Sequence, residues 1–189
     1  MLLESGLGNG KLAGVDDDNR LLTAAFNIPF EHLIAKDYAK GFTVTGSTTV
    51  AAGTESVLVL RNNNQDKVMV PTKLGIQALG ITAGAGEYFS VELGGDYTSG
   101  GIQTTPVNTT SGSSVVSNVS VYYDNPTVAD GAEGWRIHPP ASSPIEFTFN
   151  GGLLIPPSQT LIIKYTGAGA ATIVANAAFS IVSTSDYSG

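Results

Sequence analysis

Short alternations of apolar and polar residues recur from Phe42 onward. Phe42–Thr45 and Ile145–Phe149 place apolar side chains at every second position, the pattern of a strand that buries one face. Ser56–Leu60 is apolar on both faces, so we expect this strand to be covered on both sides. Ile173–Ile181 carries one wholly apolar face. Together these patterns predict about eight strands in roughly 140 residues.

Turn residues separate the predicted strands. Pro71 is expected to close the strand Lys67–Val70, and Val115–Tyr123 is expected to form a strand of its own. Gly94–Gly112 and residues 124–144 are rich in Gly, Pro and Asn, and they are predicted to be long loops. Eight antiparallel strands in two sheets predict an all-β, jelly-roll-like antiparallel β-sandwich.

Residues 1–41 have no strand periodicity and are predicted to form an extended N-terminal arm before a sandwich of residues 42–189. Three successive aspartates, Asp16–Asp18, lack the Gly and the distal Glu of a calcium loop. The apolar side chains of the arm stand in short, separated groups that cannot bury enough surface alone. We therefore expect the arm to dock on a neighbouring subunit. Its predicted partner-binding residues are Arg20, Leu21, Leu22, Phe26 and Phe30.

The composition agrees with an all-β protein and narrows its partners. The 189 residues are 42% hydrophobic and only 13% charged, with 23 Gly and 9 Pro. Nine basic residues stand against 16 acidic ones, a net charge of −7, which argues against nucleic acid as a partner. With no Cys, the chain has no disulfides, thiolate metal sites or Cys nucleophiles. No apolar run reaches the roughly 18–20 residues of a membrane span, and a secretory signal is not expected.

Candidate catalytic groups are sparse. His32 and His138 are isolated and show no zinc-binding spacing. Glu92, Asp96 and Asp124 are the carboxylates considered for glycoside hydrolysis, but nothing in the sequence marks two of them as a pair. The sequence therefore predicts no enzyme, no cofactor and no metal site.

Aromatic residues in the two long loops allow two interpretations. Tyr97 and Trp135 can stack on a sugar ring or anchor a protein partner, and both are candidate loop contacts. Alternatively, Trp135 plugs one end of the sandwich. The sequence leaves both interpretations open.

Two stretches resemble structural proteins from tailed-bacteriophage virions, in particular head decoration or cement proteins. Val15–Thr23 resembles their N-terminal "V-D-x-N-x-R-L" segments. Gly152–Ile163 resembles their "i-L-P-P-G-q-x-L" turn, with Ile155 where Leu is usual and Ser158 where Gly is usual.

The resemblance implies a small, non-catalytic β-sandwich, often a homotrimer, that decorates or cements a capsid within the virion. The implied partners are the major capsid protein or other virion proteins, and no catalytic residue is carried over. Two alternatives stay open. One is a carbohydrate- or receptor-binding module of a fibre or adhesin that uses the two long loops, and the other is a glycan-degrading hydrolase.

Overall fold

Three short strands near the N-terminus pair with one another in an antiparallel sheet of order β1-β2-β3: β1 (Leu2–Glu4), β2 (Leu12–Val15) and β3 (Leu21–Leu22). Residues 1–41 have no strand periodicity in the sequence, and yet these three segments form strands. Arg20, Phe26, Phe30 and His32 lie outside the described residues, as do the side chains of β3, so the docking role of the arm stays a prediction. Besides the backbone of β1–β3, the computed structural model describes residues 40–81, 86–140, 143–149 and 152–184.

Thirteen further strands make up the rest of the described chain. They are β4 (Gly41–Val50), β5 (Gly53–Asn62), β6 (Lys67–Leu79), β7 (Tyr88–Leu93), β8 (Asp96–Ser99), β9 (Ile102–Thr104), β10 (Val107–Asn108), β11 (Val119–Tyr123), β12 (Thr127–Ala129), β13 (Ala132–Ile137), β14 (Ile145–Thr148), β15 (Thr160–Gly167) and β16 (Ala171–Ser183).

These strands form two antiparallel sheets that pack as a sandwich, which confirms the predicted fold class. The first sheet has the order β10-β4-β16-β6-β14, and the second has the order β13-β7-β15-β5-β11-β9. A small third sheet pairs β8 with β12. Eight strands (β4–β7 and β13–β16) pass from one sheet to the other at nearly every connection.

The core lies between the two sheets and is built from the predicted alternations. The apolar face of β16 is buried along its length, from Ile173 to Ile181. Phe179 stacks on Phe42 with ring centroids 5.7 Å apart, and Tyr165 packs against Phe89 at 5.2 Å. Each such fully buried side chain contributes on the order of 1.5–3 kcal/mol to folding. The prediction that β16 buries its apolar face is therefore confirmed.

The prediction that Pro71 ends a strand is wrong, because β6 continues through it to Leu79. Pro71 lies opposite Phe179, and the register of the β6–β16 pair shifts between Ala178 and Phe179. Proline lacks the N–H that a ladder needs, and an irregularity at this point lets the strand pass without that hydrogen bond.

The two predicted long loops contain strands, which corrects the sequence-based interpretation. Residues 96–104 and 119–129 form one two-stranded ribbon, since β9 pairs with β11 and β8 pairs with β12. The ribbon bends where both of its strands take a left-handed backbone, at Gly100–Gly101 on one and Asp124–Asn125 on the other. The predicted strand from Val115 is shorter than expected: β11 begins only at Val119, and Val115 is exposed.

The bent ribbon places β8 on the outer face of the second sheet. Arg61 of β5 forms an ion pair with Asp96 of β8 at 3.1 Å, and the ring of Tyr97 stacks on Tyr122 with centroids 3.6 Å apart. Val57 to Leu60 are fully buried, so the expected covering of this strand on both faces is confirmed. The chain itself supplies this cover, so β5 needs no neighbouring subunit to bury its two faces.

Candidate functional site

A polar cavity of about 540 Å³ opens on the outer face of the second sheet, beside the segment that links β12 to β13. It is lined by Lys164 of β15, a lysine within the stretch Leu161–Tyr165, whose other residues are apolar or aromatic. The lining combines carboxylates, hydroxyls, one amide and one ammonium: Thr54, Glu55, Ser56, Glu92, Asn125, Pro126, Thr127, Val128, Asp130 and Lys164.

Lys164 contacts two carboxylates at once. Its Nζ lies 2.5 Å from Oδ1 of Asp130 and 2.8 Å from Oε2 of Glu92. The side chains of Lys164 and Glu92 are only 8% and 11% exposed, whereas that of Asp130 is 80% exposed. Glu92 reaches the lysine because Ser90, two residues before it on β7, is the direct partner of Lys164 in the ladder. We refer to Lys164, Glu92 and Asp130 as the triad.

Two glycines allow the Asp130 segment to approach β7. A Cβ on Gly131 would lie 2.5 Å from the carbonyl oxygen of Leu93, and a Cβ on Gly95 would lie 2.5 Å from the carbonyl oxygen of Ala129. The Gly131 N–H donates a hydrogen bond to Oε2 of Glu92 at 3.2 Å. A close approach of two backbones therefore sets the position of Asp130 beside the lysine.

The ion pairs dominate the electrostatics of the triad. Burial is the largest influence on Lys164 and by itself lowers its pKa, but hydrogen bonds to Asp130 and Glu92 outweigh it, so the pKa of Lys164 is raised. The hydrogen bond from Lys164, followed by its charge, lowers the pKa of Asp130. Lys164 is therefore an ammonium, and Asp130 a carboxylate, in the resting state.

The predicted loop contacts are held by intramolecular packing. Tyr97 stacks on Tyr122, and its hydroxyl donates a hydrogen bond to the Gly100 carbonyl at 3.0 Å. Trp135 makes edge-to-face contacts with Phe147 and Phe149, at centroid distances of 5.9 and 5.5 Å, and it packs against the core. For Trp135, this packing favours the interpretation that the ring plugs the sandwich over the interpretation of a free loop contact.

The remaining candidate polar groups are separated in the structure. Asp96 pairs with Arg61, and the backbone N–H of Asp124 donates to the hydroxyl of Thr48 at 3.0 Å. Nδ1 of His138 lies 2.9 Å from the Glu87 carbonyl oxygen. Within the described residues no cluster of three or more His, Cys, Asp or Glu is suited to hold a metal ion. The described part of the chain also has no helix long and apolar enough to cross a bilayer.

The turn that resembles phage structural proteins has a defined backbone requirement. Ser158 has a φ of 63°, in the left-handed region that favours glycine. Its N–H donates to the Asn62 carbonyl at 2.8 Å, and Gln159 N–H donates to the Pro156 carbonyl at 3.2 Å. The left-handed backbone gives a physical reason for the glycine that is usual at this position of the resembled motif. In this chain serine adopts that backbone conformation.

Substitution of Ser158→Gly is expected to stabilise the protein by about 0.5–1 kcal/mol, because glycine adopts this φ without the steric cost of a Cβ. The matched control is Ser99→Gly on the exposed strand β8, where glycine only loosens the unfolded chain and is expected to destabilise. Urea unfolding of both variants measures the difference. An equal loss of stability in the two would contradict the left-handed assignment.

Glu92 is a candidate carboxylate on sequence grounds, but its partner Lys164 is not. The signal that was present is a single lysine among apolar residues in Leu161–Tyr165, since a lysine on a covered strand needs a counter-charge. The identity of that counter-charge was not readable, because Asp130 and Glu92 reach the lysine only through the fold.

No known protein family matches the chain, and no curated protein matches it significantly.

Proposed function

We propose that the protein is a non-catalytic structural component of a tailed-phage virion, decorating or cementing the capsid through contacts between subunits. The observation that carries the proposal is the turn at residues 152–163: it resembles a motif of such proteins, and Ser158 has the left-handed backbone at the very position where that motif usually has glycine. The proposed partners are the major capsid protein or other virion proteins, and the proposed state is a homotrimer located in the virion.

The outer face of the first sheet supports this proposal. Thr43, Thr45, Ser47 and Thr49 alternate along β4, and all four are exposed. These are short side chains on a regular ladder, and a face of this kind can lie flat against another protein surface. Such contact is what a capsid-bound sandwich needs.

An exposed apolar edge adjoins the same face. Val107 of β10 is exposed, and it lies directly opposite Thr43 in the ladder, so both side chains are on the outer side of the sheet. Val115 and Val116, in the segment that follows β10, are exposed as well. Exposed valines beside an uncharged row favour a protein partner over bulk solvent.

Antibodies raised against the protein test its location. They are expected to label intact phage particles purified from cultures that express the chain. In the same particle preparation the protein should be present at a fixed ratio to the major capsid protein. Labelling confined to cell debris, with no signal on particles, would contradict the proposal.

Deletion of residues 1–39 tests the arm. We expect the sandwich to stay folded and to melt cooperatively, because Lys40, whose carbonyl accepts a hydrogen bond from Ile181, is retained. Binding to capsids that lack the protein is expected to fall at least about tenfold, because burial of two leucine side chains on docking would by itself contribute more than the 1.4 kcal/mol that this requires. Co-sedimentation with the capsids measures binding. Unchanged binding, or loss of the folded state, would refute the arm assignment.

The polar cavity favours a second candidate, a carbohydrate-binding module. Its lining of hydroxyls and carboxylates offers donors and acceptors of the kind that orient a sugar. One of its lining residues, Val128, is the ladder partner of Tyr97, which stacks on Tyr122. Saturable binding to one class of glycan on an array, lost in Thr127→Ala, would favour this candidate. Absence of glycan binding together with labelled particles favours the virion protein.

A further inference from the structure

The triad has the composition and contacts needed to form a covalent cross-link within the chain. We propose that Lys164 and Asp130 become joined by an amide bond between Nζ and Cγ, an isopeptide bond, with Glu92 as the catalytic proton carrier. This inference does not depend on the proposed function. It assigns a self-modification site that ties the segment after β12 to the central strand β15.

Geometry is the first support. Nζ of Lys164 is hydrogen-bonded to the Asp130 carboxyl group, at 2.5 Å from Oδ1, so the bond needs almost no movement of the backbone. Oε2 of Glu92 contacts the same nitrogen at 2.8 Å, and the Gly131 N–H fixes that oxygen. The nucleophile, the electrophile and a proton acceptor therefore already meet at one point.

Burial is the second support. The side chains of Lys164 and Glu92 are almost entirely withdrawn from water on the covered outer face of the second sheet. Burial by itself favours the neutral amine of Lys164, because it removes the hydration that stabilises the ammonium form, but the two contacting carboxylates outweigh this effect in the resting pair. Asp130 is exposed, so the water released by the reaction has an open path to solvent.

The reaction balances without an oxidant, a reductant or any other co-reactant. A proton first passes from the Lys164 ammonium to the Asp130 carboxylate, which leaves an amine and a carboxylic acid. The amine nitrogen attacks Cγ of Asp130, and a C–N bond forms. Glu92 accepts the second proton from that nitrogen and delivers it to the departing hydroxyl group. The C–O bond then breaks, one water molecule leaves, and Glu92 returns to its carboxylate form.

The resting ion pair makes the reaction slow but does not prevent it. The raised pKa of Lys164 and the lowered pKa of Asp130 keep the pair mostly charged, and only the minor neutral form reacts. The step is needed once in the lifetime of each molecule, so a small reactive fraction suffices. Effective concentrations in well-oriented intramolecular reactions reach about 10⁵–10⁸ M, which drives the equilibrium toward the amide even in water.

A second lysine–carboxylate pair in the chain provides an internal control. Lys73 and Glu146 lie 2.6 Å apart across β6 and β14, but their side chains are 46% and 66% exposed. No second carboxylate in the described part of the chain forms an ion pair with Lys73. The same contact without burial and without a proton carrier is expected to remain non-covalent.

The experiment is intact-mass spectrometry of the folded full-length protein, followed over days after purification. We expect a mass lower than that of the sequence by one water molecule. Trypsin should fail to cleave after Lys164, and peptide 74–136 should be recovered joined to peptide 137–189. Lys73 should be cleaved normally in the same digest.

Two variants separate the cross-link from another reaction that releases water. Asp130 precedes Gly131, and closure of the Asp130 side chain onto that backbone nitrogen would lower the mass equally. Lys164→Arg blocks the cross-link but leaves this closure possible. Because the proposal attributes the loss of water to the cross-link, Lys164→Arg is expected to keep the full mass. Glu92→Gln retains the lysine and aspartate without the proton carrier and should lose water at least about tenfold more slowly, in line with usual acid–base contributions.

The proposal is overturned if the wild-type protein, shown to be folded by a cooperative melt, keeps the full mass. It is equally overturned if the lighter species yields separate peptides 74–136 and 137–164, or if Lys164→Arg loses water at the wild-type rate.

Discussion

Lys164→Met is expected to lower the free energy of unfolding by about 3–5 kcal/mol, because it leaves the buried Glu92 carboxylate without its counter-charge. Methionine fills a similar volume, so the loss reports charge rather than a cavity. Equilibrium unfolding in urea measures it. The comparison is made in an Asp130→Ala background, in which no cross-link can form and Glu92 is the one carboxylate left in contact with Lys164 among the described residues.

The matched control for Lys164→Met is Lys73→Met. Lys73 also pairs with a carboxylate, Glu146, at 2.6 Å, but both side chains are largely exposed, so the expected loss is only about 0–1 kcal/mol. Adding Glu92→Leu to Lys164→Met should recover much of the stability, because an apolar pair replaces the stranded charge. Similar losses for Lys164→Met and Lys73→Met would show that burial of the Lys164–Glu92 pair does not increase its effect on the free energy of unfolding.

Asn62→Leu is the second substitution expected to have a large effect, with a loss of about 3–5 kcal/mol from several hydrogen bonds broken together. The Asn62 side chain is fully buried at the end of β5. Its Nδ2 donates to the carbonyls of Lys67 at 2.9 Å and Ile155 at 3.0 Å. Its Oδ1 accepts from the backbone N–H and the side-chain amide of Asn64, at 3.1 and 2.8 Å. Leucine would leave these buried groups unpaired.

Asn63→Leu is the matched control for Asn62→Leu. Asn63 is the next residue and is exposed, with one side-chain hydrogen bond, to the Ser120 hydroxyl at 2.6 Å. Its replacement is expected to cost about 0.5–1.5 kcal/mol. Thermal melts and urea unfolding of the two variants give the comparison. Equal unfolding midpoints would mean that the hydrogen bonds of the buried Asn62 side chain stabilise the protein no more than that of the exposed Asn63 side chain.

The sequence predicted those features that depend on a local period. The burial of β5 on both faces follows from the continuous apolar run in Ser56–Leu60, and the buried face of β16 follows from the alternation in Ile173–Ile181, which is why the sandwich was predictable. Pro71 misled the prediction because β6 can contain a proline only where its register with β16 shifts, and the β16 residues at that shift lie more than 100 positions away in the sequence. Local rules carry no information about such a partner.

The triad was unpredictable for the same reason. Lys164 lies 34 residues from Asp130, and their contact depends on the bend of the ribbon and on the close approach of Gly95 and Gly131. Turn-rich composition at residues 94–112 predicted a loop, whereas the paired left-handed residues form a bent ribbon that continues the strand pairing. The chemistry of the triad therefore arises from topology rather than from any sequence motif.

The outermost strands of the two sheets limit how copies of this chain can associate. In the first sheet they are β10, of two residues, and β14, of four. In the second sheet they are β9, of three residues, and β13, whose register with β7 is interrupted between Glu133 and Trp135. Short or irregular outer strands offer few aligned N–H and C=O groups to an incoming strand, which disfavours growth into fibrils. Contacts between copies of this chain are therefore expected at the broad faces of the sheets rather than along their edges, where templated polymerisation would begin.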